Sequence, residues 1–94
     1  MIPGFEWDEE KAQINLAKHG ISFVEATTVF DDPNCLIMND PKHSVGEARF
    51  LILGYSIVKR LLLVVHCDRG KAIRIISARP ATPSERRNYY EQEY

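Results

Sequence analysis

The strongest constraint on the fold lies in the last third of the chain. Two runs rich in Val, Ile and Leu, Arg60–Cys67 and Ala72–Ala78, flank Asp68-Arg69-Gly70-Lys71. Val and Ile, being β-branched, are stiff in a helix but fit a pleated surface. A joint this short, with a glycine in it, predicts that the runs fold back on each other as a hairpin. A lone hairpin is marginal in water, so further strands must extend it and helices must cover it.

The rest of the chain supplies both. Arg49–Tyr55 predicts a strand that reaches the hairpin through a turn near Ser56–Lys59, and Cys35–Met38 predicts another. Phe5-Glu6-Trp7 alternates and predicts a short edge strand. Asp8 is placed to cap a helix that holds Glu9 and Glu10 in its first turn and ends at Gly20. Ser22-Phe23-Val24-Glu25 reads as a capping box opening a second helix, which Asp31-Asp32-Pro33-Asn34 ends. Thr82-Pro83-Ser84-Glu85 is another, opening a C-terminal helix from Pro83 to about Gln92. Asn39–Gly46, with Pro41, Lys42 and His43, reads as a polar loop. The predicted class is α+β: an N-terminal helix pair, a three- to four-stranded antiparallel sheet and a C-terminal helix, with helices over one face of the sheet.

Ninety-four residues make one domain. The longest apolar run, Leu61–Val65, is far too short for a membrane span, and no signal peptide is visible, so a cytoplasmic protein is expected. Cys35 and Cys67 form no CxxC and are expected to be reduced core residues. The net charge of −1 conceals an asymmetry: residues 1–58 carry −5 and residues 59–94 carry +4. The cations cluster on and around the predicted hairpin, which suggests a surface that meets phosphates.

Several residues there have the chemistry to act on a phosphate. His66 lies near a strand end, on the side of Arg60 and Asp68 by alternation, and reads as a general acid or base or as a histidine finishing a sheet face. Arg69, Arg74 and Arg79 offer fork-shaped cations for phosphate, or are ordinary strand charge. Arg74 and Arg79 are five apart and point to opposite faces unless a bulge intervenes. Arg86 and Arg87 sit where the helix dipole disfavours cations, and Glu85 is placed to pair with one of them. Tyr89 and Tyr90 read as sheet packing or as a base-stacking pair. Lys11 and Lys18 share one face of the first helix, with His19 at its end. His19, His43 and His66 lack metal-ligand spacing, and no P-loop, HExxH or GxSxG motif occurs, which favours metal-free and cofactor-free chemistry.

The chain also resembles a known family. Phe5-Glu6-Trp7-Asp8, Lys18-His19-Gly20-Ile21-Ser22-Phe23, Val29-Phe30-Asp31-Asp32-Pro33, Val64-Val65-His66 and Arg74-Ile75-Ile76-Ser77-Ala78-Arg79 occur in the order seen in BrnT toxins. Cys67 after the histidine and Pro80 after Arg79 depart from that pattern. The resemblance implies a RelE/ParE-like α+β fold and the toxin of a type II toxin–antitoxin pair. Its activity would be that of a metal-independent endoribonuclease leaving a 2′,3′-cyclic phosphate. The implied partners are an RNA substrate and a BrnA-like ribbon-helix-helix antitoxin, in a heterotetramer that alone reaches operator DNA. For such chemistry His66 leads as acid or base, Arg69, Arg74 and Arg79 supply positive charge, and Lys18, His19 and then Glu10 follow. Two other readings use the same basic surface. One is a non-catalytic adaptor or corepressor holding RNA or protein, and the other is a surface made mainly to hold the antitoxin.

Overall fold

A computed structural model describes residues 2–40 and 47–92; most of the predicted polar loop, including His43, lies outside them. The elements are β1 (Phe5–Glu6), α1 (Glu9–His19), α2 (Phe23–Thr28) with a 3₁₀ turn (Val29–Asp31), β2 (Leu36–Asn39), β3 (Arg49–Tyr55), β4 (Leu61–Arg69), β5 (Ala72–Pro80) and α3 (Pro83–Tyr90).

The hairpin forms as expected. β4 and β5 pair antiparallel with Arg69 opposite Ala72, and Gly70 turns the chain at a positive φ of 63° that a side chain would strain. β3 and β2 continue the antiparallel meander. The sheet is larger than the expected three or four antiparallel strands. Five described strands lie in the order β1-β5-β4-β3-β2, and β1 pairs parallel to β5, with Phe5 opposite Ile73 and Glu6 opposite Arg74. A parallel neighbour needs a long crossover, and here everything from α1 to β4 provides it.

The helix ends follow local rules. Asp8 accepts from Lys11 N at 3.1 Å, and Gly20 closes α1 in the left-handed region. Thr82 and Glu85 complete a reciprocal capping box on α3. Ser22 caps α2, but its box stays half-made: the Glu25 carboxylate goes instead to Arg60 and Ser56. A charged partner outcompetes a backbone N–H. This pair ties α2 to the β3–β4 turn and holds the Glu25 carboxyl below the usual carboxylate range, Arg60 being the main cause.

Helices lie on both faces of the sheet, not on one. α1 and α2 bury Ile21, Phe23, Ala26 and Val29 against Ile52, Leu62, Val64, Ile75 and Ala78. On the opposite face Tyr89 of α3 packs against Leu53, Leu61 and Leu63. The reason is visible in β4, whose apolar run does not alternate; such a strand is buried on both sides. Asp32 ties the second face together. Its carboxylate accepts from Tyr55 N at 2.8 Å and the Tyr89 hydroxyl at 2.7 Å on one oxygen, and from Asn34 N at 2.9 Å on the other. Burial alone would raise this carboxyl, but the three donors outweigh it and the group is held low. Among the described residues α3 covers only one end of its face and leaves the rest of that face open.

One irregularity sets the phase of β5. Val65 faces Ser77 but His66 faces Ile75, so Ile76 is an extra residue in the ladder. Ile75 and Ala78, three apart, therefore both enter the helix-covered core. Arg74 opposite Cys67, and Arg79 opposite Leu63, fall together on the other face.

Candidate active site

The open face holds a groove of about 520 Å³ between the free parts of β3, β4 and β5 and the start of α3. Leu51, Leu63, Val65 and Ile76 contribute apolar lining; Asp40, Arg49, Ser77, Arg79 and Glu85 bring polar and charged groups. Arg79 leaves the end of β5 just before α3 begins. Its two terminal nitrogens each donate at 2.8 Å to one oxygen of Glu85, a fork-to-fork pair. Glu85 sits at the third position of α3, where the capping box fixes its carboxylate through Thr82 N at 2.9 Å. Arg79 holds the Glu85 carboxyl below the usual range despite partial burial. The groove thus combines guanidinium groups, ionised carboxylate and a hydroxyl above an apolar sheet.

His66 is elsewhere. It projects into the helix-covered core, 5% exposed, between Phe30 (edge-on, centroids 4.9 Å apart) and Phe50 (stacked, 5.8 Å). Neither ring nitrogen has a hydrogen-bond partner among the described residues. Burial pushes its pKa below the usual histidine value, against a weaker upward pull from Asp68. A neutral imidazole behind the sheet does not share a surface with Arg74 or Arg79. The sheet separates His66 from both arginines, so neither joins it.

The bulge brings Arg74 and Arg79 to one face, but ion pairs keep the cations apart in function. Arg74 meets Glu6 at 2.6 Å, where β1 runs beside β5. Arg69 meets Glu47 at 2.8 Å near the hairpin turn. Glu47 also accepts from the Cys67 thiol at 3.3 Å, and burial together with that carboxylate pushes the thiol pKa up. Both cysteines are free. Of the three arginines, only Arg79 lines the open groove.

Lys18 and His19 do reach the rim. With Lys11, Ile14 and Asn15 they line a second hollow of about 200 Å³ that shares Ile76 and Ser77 with the groove. Glu10 is exposed on the first turn of α1 and lines neither hollow. Arg86 reaches the Tyr55 hydroxyl at 3.3 Å, Tyr89 is buried, and Tyr90 is exposed with its hydroxyl on that of Tyr55.

Sequence reading missed Arg49, Asp40 and Glu85 as site residues. For Glu85 a signal existed: the capping box fixes its position, and Arg79 six residues earlier closes the adjoining strand. Pairing it with Arg86 or Arg87 ignored that a carboxylate at the third helical position points back toward the chain that enters the helix.

Comparison with known proteins agrees with this architecture. Residues 7–85 match the family described as "Ribonuclease toxin, BrnT, of type II toxin-antitoxin system". The crystal structure of the Brucella abortus ribonuclease toxin BrnT is similar, with a TM-score of 0.66 and 26% sequence identity over 83% of this chain and 95% of that one. A search of curated protein sequences gives no match. No helix among the described residues is long and apolar enough to cross a membrane. With the family pattern running through both helices of the N-terminal pair, the whole meander and the Arg79–Glu85 junction, the chain belongs to the BrnT family of ribonuclease toxins of type II toxin–antitoxin systems.

Proposed function

We propose that the protein is an endoribonuclease that cuts RNA in the groove on the open sheet face, without a metal ion, and leaves a 2′,3′-cyclic phosphate. The observation that carries this reading is the Arg79–Glu85 pair at the groove floor. The scissile phosphate takes the place of the carboxylate on the Arg79 fork, with Arg49 on the opposite wall. Two guanidinium groups there stabilise the charge that builds on phosphorus as the 2′-oxygen attacks. Released from its cation, the Glu85 carboxylate regains basicity and takes the 2′-OH proton. The 2′-O–P bond forms, the P–O5′ bond breaks, and His19 at the rim delivers a proton to the leaving 5′-oxygen. His66 has no part in proton transfer and serves as a neutral core residue.

A meander whose last strand delivers an arginine to a short terminal helix supports a place among RelE/ParE-like toxins. The partner is a BrnA-like ribbon-helix-helix antitoxin that neutralises the toxin in a heterotetramer and carries the operator contacts. RNA in the cytoplasm is the substrate.

Cleavage of a labelled RNA by purified protein, with and without EDTA, tests the chemistry. Cutting that persists in EDTA and leaves a 2′,3′-cyclic phosphate and a 5′-OH is expected. Loss of cutting in EDTA with rescue by magnesium refutes the metal-free reading. Growth arrest on expression, relieved by a ribbon-helix-helix protein encoded beside the toxin, checks the partner.

A further inference from the structure

We infer that Lys11 and Lys18 form a second, non-catalytic phosphate subsite, which holds the RNA strand flanking the cleaved bond as it leaves the groove over the edge of β5. This rests on the reading that the open face cuts RNA. β1 covers β5 only at Ile73 and Arg74, so the outer edge beyond them has no strand partner among the described residues. α1 takes that place. The Asn15 side chain donates to Ala78 O at 2.8 Å and to Ile21 O at 2.9 Å, and accepts from Ala78 N at 3.0 Å. A buried amide with these three bonds clamps α1 beside the strand and fixes which helix face borders it.

That face is cationic. Lys11 lies four residues before Asn15 and Lys18 three after it, so all three share one side of the helix. The two lysines are separated by two turns, about 10 Å along the axis. The hollow they line contains no carboxylate among the described residues. Neither lysine makes an ion pair among the described residues, whereas Arg60, Arg69, Arg74 and Arg79 each hold a carboxylate. Among the described residues the α1 lysines hold no carboxylate to be displaced and are available to a phosphate.

The bulge makes the two hollows one surface. Because Ile76 is extra in the ladder, it and Ser77 border both the groove and the lysine hollow. A strand whose scissile phosphate sits on Arg79 therefore has a continuous path over Ser77 to α1. Lysine suits this role, because a point charge on a flexible stem neutralises a passing phosphate without demanding a geometry. The same surface serves an acidic protein segment less well, since it lies in the path of the RNA and has little apolar lining to anchor a side chain.

The test compares wild type with the double variant Lys11→Ala, Lys18→Ala. Both sites are exposed helix positions where alanine favours the helix. Equilibrium binding of a single-stranded RNA oligonucleotide blocked by 2′-O-methyl groups is measured against salt, which reports on the subsite whether or not cleavage occurs. The slope of log K against log salt should become shallower by about 1.4, the loss of two phosphate contacts on a single strand. With cleavable substrates, KM for the oligonucleotide should rise about tenfold or more while kcat stays within about threefold, and cleavage of a dinucleotide should not change. An unchanged salt slope overturns the subsite. So does an equal loss of kcat on the dinucleotide, which would put a lysine in the chemistry, or loss of antitoxin binding with RNA binding intact. Absence of cleavage by wild type with the expected salt slope would refute the ribonuclease reading and leave the subsite standing.

Discussion

The two faces of the sheet are made from alternate residues of the same strands, and they differ in what happens to polar groups. On the helix-covered face His66 sits between two phenyl rings with both nitrogens unpartnered among the described residues. On the open face Arg79 is held by Glu85 and Arg74 by Glu6, each by an opposite charge. Core burial keeps a histidine neutral, whereas an exposed groove keeps its charges and fixes them by pairing. Chemistry on phosphate needs cations that stay charged and can change partners. The Arg79–Glu85 pair in the groove has that character, so the sharpest experiments set one face against the other.

The largest effect is expected at the groove floor. Arg79→Ala should lower kcat/KM for RNA by about 10²–10³, the cost of one preorganised charge-stabilising donor. Arg79→Lys should recover only part, because an ammonium does not make the bidentate contact. Cleavage rates on one RNA measure both. A loss below about fivefold would move the seat of catalysis away from this groove.

Next comes the residue that joins the two sides. Asn15→Ala strips the Ala78 N–H and C=O and the Ile21 C=O of their side-chain partner in a buried site. The expected destabilisation is about 2–3 kcal/mol, read from urea midpoints at constant slope. The α1 rim should loosen with it, so RNA affinity should fall more than the Lys11 and Lys18 charges alone would explain. A smaller effect comes from Gly54→Ala. A Cβ there would lie 3.1 Å from Asp32 Oδ2, Cys35 Cβ and Val29 Cγ1, so overpacking should cost about 1–3 kcal/mol. That change presses on the Asp32 hub and should lower the melting temperature without altering the cleavage products.

These sites also show what the sequence made legible. Caps and turns did, because their rules act within a few residues: Asp8, Gly20, Ser22, Thr82 and the Gly70 turn all behave as their local chemistry dictates. Phase did not. Alternation related His66 to its strand neighbours but said nothing of which face the helices would cover, since β4 is apolar on both. The bulge at Ile76 has no glycine or proline to announce it, and it alone decides that Arg74 and Arg79 share a face. β1 was legible as a short edge strand, but its place was not: two residues carry no register, and their parallel partner lies at the far end of the chain. The family pattern marked Arg79 and His66 alike; only their surroundings distinguish a groove cation from a core imidazole.

The smallest expected effect belongs to that imidazole, and it is the most discriminating. His66→Leu keeps an apolar side chain of similar size between Phe30 and Phe50 and removes two nitrogens that lack partners. Activity at neutral pH should stay within about threefold of wild type, whereas loss of a general acid or base would cost about 10²–10⁴. The pH dependence of stability supplies a second reading of the same residue. In the folded protein burial lowers the His66 pKa; in the unfolded chain it stands near 6.5. Below about pH 6.5 the unfolded chain therefore binds a proton that the folded protein refuses. Wild-type stability should fall as the pH drops from 6.5 toward 5, with a slope of at most about 1.4 kcal/mol per pH unit from this group. The carboxylates held low, Glu25, Asp32 and Glu85, add their own loss only at more acidic pH. His66→Leu should flatten the slope between pH 6.5 and 5 and leave the steeper fall below it. A flattened slope with activity intact assigns His66 to the core; an unchanged slope with activity lost would return it to the chemistry and break the division between the faces.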